Sequence, residues 1–317
     1  MLPAELASGV ARREPRAVAR AISLVEDRRE EAAPRIAALL GALPSRGGEE
    51  RVGITGPPGV GKSSLVSALA RVARASGRTV GVLAVDPSSP RSGGALLGDR
   101  ARIELEPDDT GLFVRSMASG GALGGLASAA GAAIEVLAAA YDLVLIETTG
   151  VGQSETDVEH VADTVVMVVQ PASGDVLQFL KSGIIEIPDV FVVNKADLGE
   201  IAARARAELA AALDAVHAGE QPAWRAPVIS TSVPERRGFD ELLGVIDAHR
   251  AHLEATCGIV ARRRRAAAAW SLRLFLRRYG EVGVERAGGA SALRARFERE
   301  LAAGRTAFEA VRDAGRP

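Results

Sequence analysis

The sequence predicts an α/β fold, a mostly parallel central sheet flanked by helices, on three observations. Short β-rich runs alternate with helical windows between Arg51 and His252, which is the pattern of βαβ units. The tail beyond His252 is helical and contains no evident strand. A Gly-rich turn joins the first strand run to the first helical window, where an open parallel sheet gathers its ligands.

Each element follows from its own residues. Residues 3–43 read as helical, since Ala, Leu and Arg dominate and Val18, Ile22, Val25 and then Ile36, Leu39, Leu40 recur at helical spacing, with Pro34 separating two helices. Pro44 to Glu50 carries Pro, Ser, Gly and charge without periodicity and reads as a linker. Strands are expected at 52–55, 79–85, 141–146, 164–169, 190–193 and 228–230, and helices at 63–75, 127–140, 202–216 and 239–252. Such a sheet is buried on both faces. In the tail an apolar stripe runs through Trp270, Leu274 and Tyr279, Gly288 and Gly289 break the pattern, and a last helix is expected near 293–311. The chain therefore divides into a helical N-terminal arm (1–48), a central domain (49–253) and a helical C-terminal extension (254–317).

Composition excludes several classes of function. The 317 residues carry 39 basic and 40 acidic side chains, so there is no electrostatic case for a nucleic-acid or membrane-surface binder. The Arg262–Arg265 run has no aromatic interleaving and reads as a solvated helix face rather than a phosphate patch. A lone Cys257 cannot form an internal disulfide, which suits a reducing cytoplasm; it is expected as a small buried hydrophobe. Charges at Glu5, Arg12, Arg13, Glu14, Arg16 and Arg20 interrupt the N-terminus, so no signal peptide is expected and the chain reads as cytoplasmic. Gly120 to Ala140 is long enough to span a bilayer, but Gly and Ala contribute little transfer energy and Glu135 would lie in lipid.

Lysine usage is the sharper signal. Only Lys62, Lys181 and Lys195 occur, the other 36 basic residues being Arg, and Asn194 is the only Asn. A composition that replaces Lys by Arg wherever either serves leaves Lys where a compact ammonium on a flexible stem is required.

Two of these lysines fall in motifs with a mechanism. Gly56-Pro57-Pro58-Gly59-Val60-Gly61-Lys62-Ser63, followed by Ser64, fits the P-loop pattern. Glycines let backbone N–H groups curl around a β-phosphate, the helix N-terminus adds its positive end, Lys62 reaches the β and γ oxygens, and the Ser63 hydroxyl can ligate Mg²⁺. The fold class is thereby sharpened to a P-loop NTPase. Asn194-Lys195-Ala196-Asp197 follows a buried strand and matches the guanine-recognition pattern NKxD. Its Asp carboxylate accepts from guanine N1 and the 2-amino group, which adenine lacks, while the Lys stem stacks on the ring. Thr231-Ser232-Val233, with Pro234 after it, is placed to contact the guanine O6.

Acidic residues at strand ends complete the candidate set. Asp86, Asp99 and Glu147 lie where carboxylates face the P-loop, and Mg²⁺ prefers one or two such ligands with waters and phosphate oxygens. Lys181 sits in Gly174-Asp175-Val176-Leu177-Gln178-Phe179-Leu180-Lys181-Ser182-Gly183, after an unusual Gln170-Pro171-Ala172-Ser173 loop. It is either an exposed helix lysine or the charge of a switch. Lys62, Glu147 and Lys181 are the candidates for catalytic roles.

The runs GPPGVGKSS from Gly56, LAVDPSSP from Leu83, SGGALLGDRAR from Ser92, VRSMASGG from Val114, LGGLA from Leu123, IETTGVGQSE from Ile146 and NKAD from Asn194 together resemble the MeaB-type GTPases. That family, also labelled ArgK-type, comprises G-protein chaperones of adenosylcobalamin-dependent acyl-CoA mutases. The resemblance covers about Arg51 to Asp240, and the two helical ends are similar to the family's, where the C-terminal one makes a homodimer. It implies GTP and GDP as ligands, Lys62 and Ser63 at phosphate and Mg²⁺, Asp86, Asp99 and Glu147 around the metal, and Asn194, Lys195 and Asp197 on guanine. It also implies that Gln153 and the segment holding Asp175, Gln178 and Lys181 are switches touching an acyl-CoA mutase, with methylmalonyl-CoA mutase the first choice. Val176, Gly120 and Thr149 stand where the family commonly has Glu, Arg and Val, which touches partner signalling and leaves nucleotide binding intact. Two other classes compete. A nickel-inserting GTPase chaperone needs His or Cys ligands, which here gather only at His249 and His252. A protein kinase of a transport system needs an acceptor or catalytic-loop motif, and none is visible.

Overall fold

The computed structural model describes residues 2–27, 29–86, 109–118, 129–148, 157–171, 187–216 and 223–315. The strands are β1 (Glu50–Thr55), β2 (Val80–Asp86), β3 (Leu112–Ala118), β4 (Leu143–Glu147), β5 (Thr164–Val169), β6 (Val190–Val193) and β7 (Val228–Ser230). They form one sheet ordered β3-β2-β4-β1-β5-β6-β7, with every pairing parallel. All carboxyl ends therefore lie along one edge. β1, β4, β5 and β6 carry buried residues at nearly every position, as strands covered on both faces must.

Six strands stand where the sequence pattern puts them, and β3 is an addition. Its residues Leu-Phe-Val-Arg-Ser-Met-Ala bury only Val114 and Met117, so it shows neither strict alternation nor a continuous apolar run. It pairs with β2 alone, at the sheet edge, and tertiary pairing rather than local pattern decides it.

One face of the sheet is covered by α4 (Lys62–Ala75) and α7 (Phe239–Thr256). Leu65, Val66 and Leu69 meet Leu242 and Ile246 over Val52, Ile54, Val166 and Val168; each such fully buried side chain is worth about 1.5–3 kcal/mol of transfer free energy. On the other face α5 (Ala130–Ala138) joins an N-terminal layer of α1 (Pro3–Ala11), α2 (Pro15–Val25) and α3 (Ala33–Ala42) in one apolar cluster. The sequence reading places one break in this layer, at Pro34, which falls in the first turn of α3. The structure adds a break at Arg12–Glu14, where Arg13 turns with φ 58° and Pro15 opens α2, a position where the missing N–H costs little. Arg115 of β3 pairs with Glu26 at 2.6 Å, fastening this layer to the sheet edge. Beside β6, α6 (Glu200–Val216) lays Leu209 and Leu213 over Phe191 and Val193.

The C-terminal helices are α8 (Ile259–Arg286), kinked at Gly280, α9 (Ala290–Ala302) and α10 (Ala307–Ala314). They share a small core of Phe275, Leu293, Phe297 and Val311. Charge fastens α8 to the sheet. Arg263 donates to Asp163 at 2.6 and 2.8 Å, to the Glu49 carbonyl at 2.9 Å, and also pairs with the Glu49 carboxylate. Arg51 sits in the same network, bidentate on Glu135 at 2.7 and 3.0 Å. Burial alone would depress the Arg51 guanidinium, but Glu135, Asp163 and Glu49 hold it above the ordinary arginine value. Farther along α8, Arg273 and Arg277 both pair with the fully buried Asp157.

Two expectations change here. The Arg run is solvated only at Arg264 and Arg265; Arg262 faces Asp189 at 3.5 Å and Arg263 is drawn into the buried network. Cys257 is exposed, because it closes α7 at a corner where the chain turns through Gly258 into α8. In the segment Gly120 to Ala140, α5 is nine residues long and packed within the protein. Among the described residues no helix is long and apolar enough to cross a membrane.

Arg263→Ala leaves the buried Asp163 and Glu49 carboxylates short of a counter-charge, which for a buried pair costs about 3 kcal/mol. Equilibrium urea denaturation should show that loss, whereas a change within the ~0–1 kcal/mol of a surface pair would contradict the role assigned to the network.

Candidate nucleotide site

Residues 56–61 connect β1 to α4 at the carboxyl edge, and their backbone is shaped by glycine where no side chain fits. Gly56 has φ 140°, and a Cβ there would lie 2.1 Å from the Val168 carbonyl oxygen. Gly61 has φ 96°, and a Cβ there would lie 2.5 Å from Asn194 Nδ2. Gly61 is also the N-cap of α4 and contributes no capping side chain, so the positive end of the helix opens onto the loop. Pro58 and Gly59 are exposed at the loop crest, Val60 is buried beneath it, and Ser64 faces solvent from the first turn of α4.

Lys62 is almost fully buried, with Nζ donating to the carbonyls of Gly56 at 2.8 Å and Pro57 at 3.0 Å. Its ammonium is thereby held inside the curl of the loop. Ser63 Oγ donates to Glu147 Oε1 at 2.7 Å, bringing together two metal-ligand candidates that are 84 residues apart in sequence. The pair lies at neighbouring strand ends, since β4 pairs with β1. A hydroxyl and a carboxylate are hard oxygen donors of the kind Mg²⁺ takes beside phosphate oxygens and water, so these residues fit that ion. Behind them, Thr148 Oγ1 donates to Thr55 Oγ1 at 3.0 Å and Thr148 N to the Ile54 carbonyl at 3.1 Å, which locks the end of β4 to β1. Nothing in the local sequence marks that lock.

The guanine-motif residues come from the loops after β6 and β7. Asn194 is buried; its Nδ2 donates to the Val60 carbonyl at 2.8 Å and its Oδ1 accepts from Thr231 Oγ1 at 3.1 Å. Lys195 adopts a left-handed backbone, φ 60° and ψ 41°, and its Nζ donates to the Gly59 carbonyl at 3.1 Å and to Gln170 Oε1 at 2.6 Å. Asp197 is exposed, and its Oδ1 accepts from Ser232 Oγ at 2.7 Å. Ser232 is itself buried, with Val233 half-buried and Pro234 exposed after it. Ala196 N to the Thr231 carbonyl, 2.9 Å, completes the join between the two loops.

The structure thus brings together loop 56–61, Lys62, Ser63, Glu147, Asn194, Lys195, Asp197 and Ser232. Asp86 ends β2, whose Ala84 is in register with Glu147. Asp99, Gln153, Asp175, Gln178 and Lys181, with Thr149, Val176 and Gly120, lie outside the described residues. Thr55, Thr148 and Gln170 are the additions that sequence reasoning left without a role. His249 and His252 pack at a tilt against Trp224, with ring centroids 4.8 and 5.4 Å away, and His249 is held by Thr164 at 2.9 Å and Asp189 at 3.2 Å, so packing and hydrogen bonding account for that pair. Among the described residues no group of three or more His, Cys, Asp or Glu could hold a metal ion.

A phosphate loop and a guanine-type loop joined at the carboxyl edge of a parallel sheet define a P-loop GTPase. The chain belongs to the family described as methylmalonyl Co-A mutase-associated GTPase MeaB, whose sequence model matches residues 18–279. It is 35% identical over 257 residues to GTPase ArgK of Escherichia coli, covering 80% of this chain and 77% of that one. A Pyrococcus abyssi relative is 45% identical over 263 residues, 82% of this chain and 80% of its own. The mouse methylmalonic aciduria type A homolog, mitochondrial, is 37% identical over 224 residues, 69% of this chain and 54% of that protein. A solved structure described as LAO/AO transport system kinase superposes with TM-score 0.69 at 27% identity, covering 98% of this chain and 96% of that one.

Asp197→Asn should weaken GTP roughly a hundredfold or more, because an amide cannot accept both guanine donors, and should favour xanthosine triphosphate, whose 2-oxo group accepts from the amide. Titrating both nucleotides decides the matter; unchanged GTP affinity would remove Asp197 from base recognition.

Proposed function

We propose that this GTPase gates adenosylcobalamin delivery to an acyl-CoA mutase, or protects it, with methylmalonyl-CoA mutase as the first partner. It works as a cytoplasmic homodimer through its 254–317 extension, apart from the 1–48 arm and the 49–253 nucleotide domain. The observation that carries this reading is the family match across residues 18–279.

GTP is the substrate, and the site's own residues suggest how it is handled. Lys62 exchanges its contacts with the Gly56 and Pro57 carbonyls for β- and γ-phosphate oxygens, compensating charge as they enter the curl of loop 56–61. Ser63 and Glu147, joined at 2.7 Å, would hold Mg²⁺, with Asp86 and Asp99 as the further carboxylate candidates; bound there, the ion would neutralise charge developing on the phosphates. Asp197 and Lys195 select guanine, and the loop of Ser232, Val233 and Pro234 contacts the guanine O6. After hydrolysis GDP and phosphate remain. Gln153, Asp175, Gln178 and Lys181 form the switch surface that reports the nucleotide to the mutase.

Intrinsic turnover is slow on this reading, since no arginine finger can be assigned and Gln153 is the one evident water-orienting residue of its segment. A partner that orders the missing charge can contribute ~10³–10⁵ in rate. Steady-state hydrolysis with and without an adenosylcobalamin-dependent methylmalonyl-CoA mutase tests the proposal directly: acceleration by the mutase is expected, and its absence would overturn the partnership. The same assay with γ-labelled GTP separates a kinase, which would retain label on protein, from a GTPase that releases it as phosphate.

Two substitutions sharpen the test. Lys62→Ala should abolish turnover with a native circular-dichroism spectrum, and near-normal hydrolysis would contradict its phosphate role. Lys181→Ala should lose most of the mutase-stimulated increment, with Gln178→Ala showing a weaker form; a fully stimulated rate in Lys181→Ala would make it an ordinary surface lysine.

A further inference from the structure

We propose that Gln170 is a positioning residue for nucleotide binding: its side-chain carbonyl fixes the Lys195 ammonium against the phosphate loop, so that the lysine stem is set in place before a purine base arrives. The inference rests on the nucleotide-site reading above and deepens it.

Sheet order supplies the first argument. β5 lies between β1, which leads into the phosphate loop, and β6, which leads into the guanine loop. Gln170 directly follows the last residue of β5, so its side chain starts midway between the two loops. Distances supply the second. Lys195 Nζ is 2.6 Å from Gln170 Oε1 and 3.1 Å from the Gly59 carbonyl oxygen. One ammonium thus binds an acceptor on each of two loops, the Gln170 contact being as short as a charge-assisted hydrogen bond.

Both ends of this contact sit on restricted backbone. Pro171 follows Gln170 and confines it to extended conformations. Lys195 holds the left-handed conformation, uncommon for a residue with a Cβ, and is fixed there by Asn194 N on the Val169 carbonyl at 2.9 Å and Ala196 N on the Thr231 carbonyl at 2.9 Å. A lysine is otherwise a flexible point charge with much rotamer freedom to lose; here that freedom is removed by protein groups in advance of binding, the condition that favours affinity. Gln also suits the position electrostatically. It accepts from an ammonium without adding negative charge beside a triphosphate, as Glu would.

The test uses the full chain with Mg²⁺ and four variants. Gln170→Met keeps length and removes the acceptor. It should weaken GTP, GDP and inosine triphosphate alike, each roughly tenfold for one lost hydrogen bond to a charged group, chiefly through faster dissociation. The ratio of GTP to inosine triphosphate affinity should stay unchanged, because Asp197, which reads the 2-amino group, is untouched. A role in folding alone would not respect Lys195, so Gln170→Met is also placed on a Lys195→Met background, where it should add less than about twofold. Gln170→Ala provides the same readings if Met folds poorly. Unchanged affinity in the two Gln170 single variants, or an undiminished loss on the Lys195→Met background, would overturn the proposal while leaving GTP binding in place. Failure of the unaltered chain to bind GTP would overturn the proposal together with the site reading.

Discussion

The buried hydrogen bond from Asn194 Nδ2 to the Val60 carbonyl, 2.8 Å long, is the contact on which the site depends. It ties the loop after β1 to the loop after β6, two strands away in the sheet. A buried backbone carbonyl without a donor is costly, and so is a buried amide; each satisfies the other, and Thr231 occupies the remaining side of Asn194. Gly61 lies so close to this amide that a Cβ would clash with it. Phosphate geometry and base geometry are therefore not independent, and a shift in either loop strains the other. The only Asn of the chain stands where an amide must donate to one loop while accepting from another.

The rest of the molecule holds that edge of the sheet still. α4 carries the phosphate loop at its first turn, and its Leu65, Val66 and Leu69 are clamped between the sheet and α7. The C-terminal helices attach differently, through charge. Arg263 and Arg51 serve Glu49, Asp163 and Glu135, while Arg273 and Arg277 serve Asp157. The pairs on the buried carboxylates Glu49, Asp163 and Asp157 owe much of their effect to the penalty for breaking them, so they fix register more than they add net stability.

Misreadings of the sequence have a common physical origin. Cys257 lies exposed because a helix corner, not its polarity, sets its environment. The Arg262–Arg265 run divides between solvent and a buried network because a helix turns successive residues to different faces. β3 escapes detection because an edge strand needs only the backbone of its neighbour, and its side chains are released from the pattern that marks a central strand. In each case the deciding partner is remote in the chain.

By itself the sequence determined the α/β class, the phosphate and guanine loops, six of the seven strands and the family, because each is local: a turn that only Gly tolerates, a lysine kept where Arg would not serve, an apolar run bounded by breakers. Only the tertiary structure decided which distant groups meet. That Ser63 finds Glu147, that Asn194 closes on Val60, that Thr148 locks to Thr55 and that Gln170 reaches Lys195 all follow from strand order, and strand order is set by burial and crossover of whole elements, which no single stretch of residues encodes.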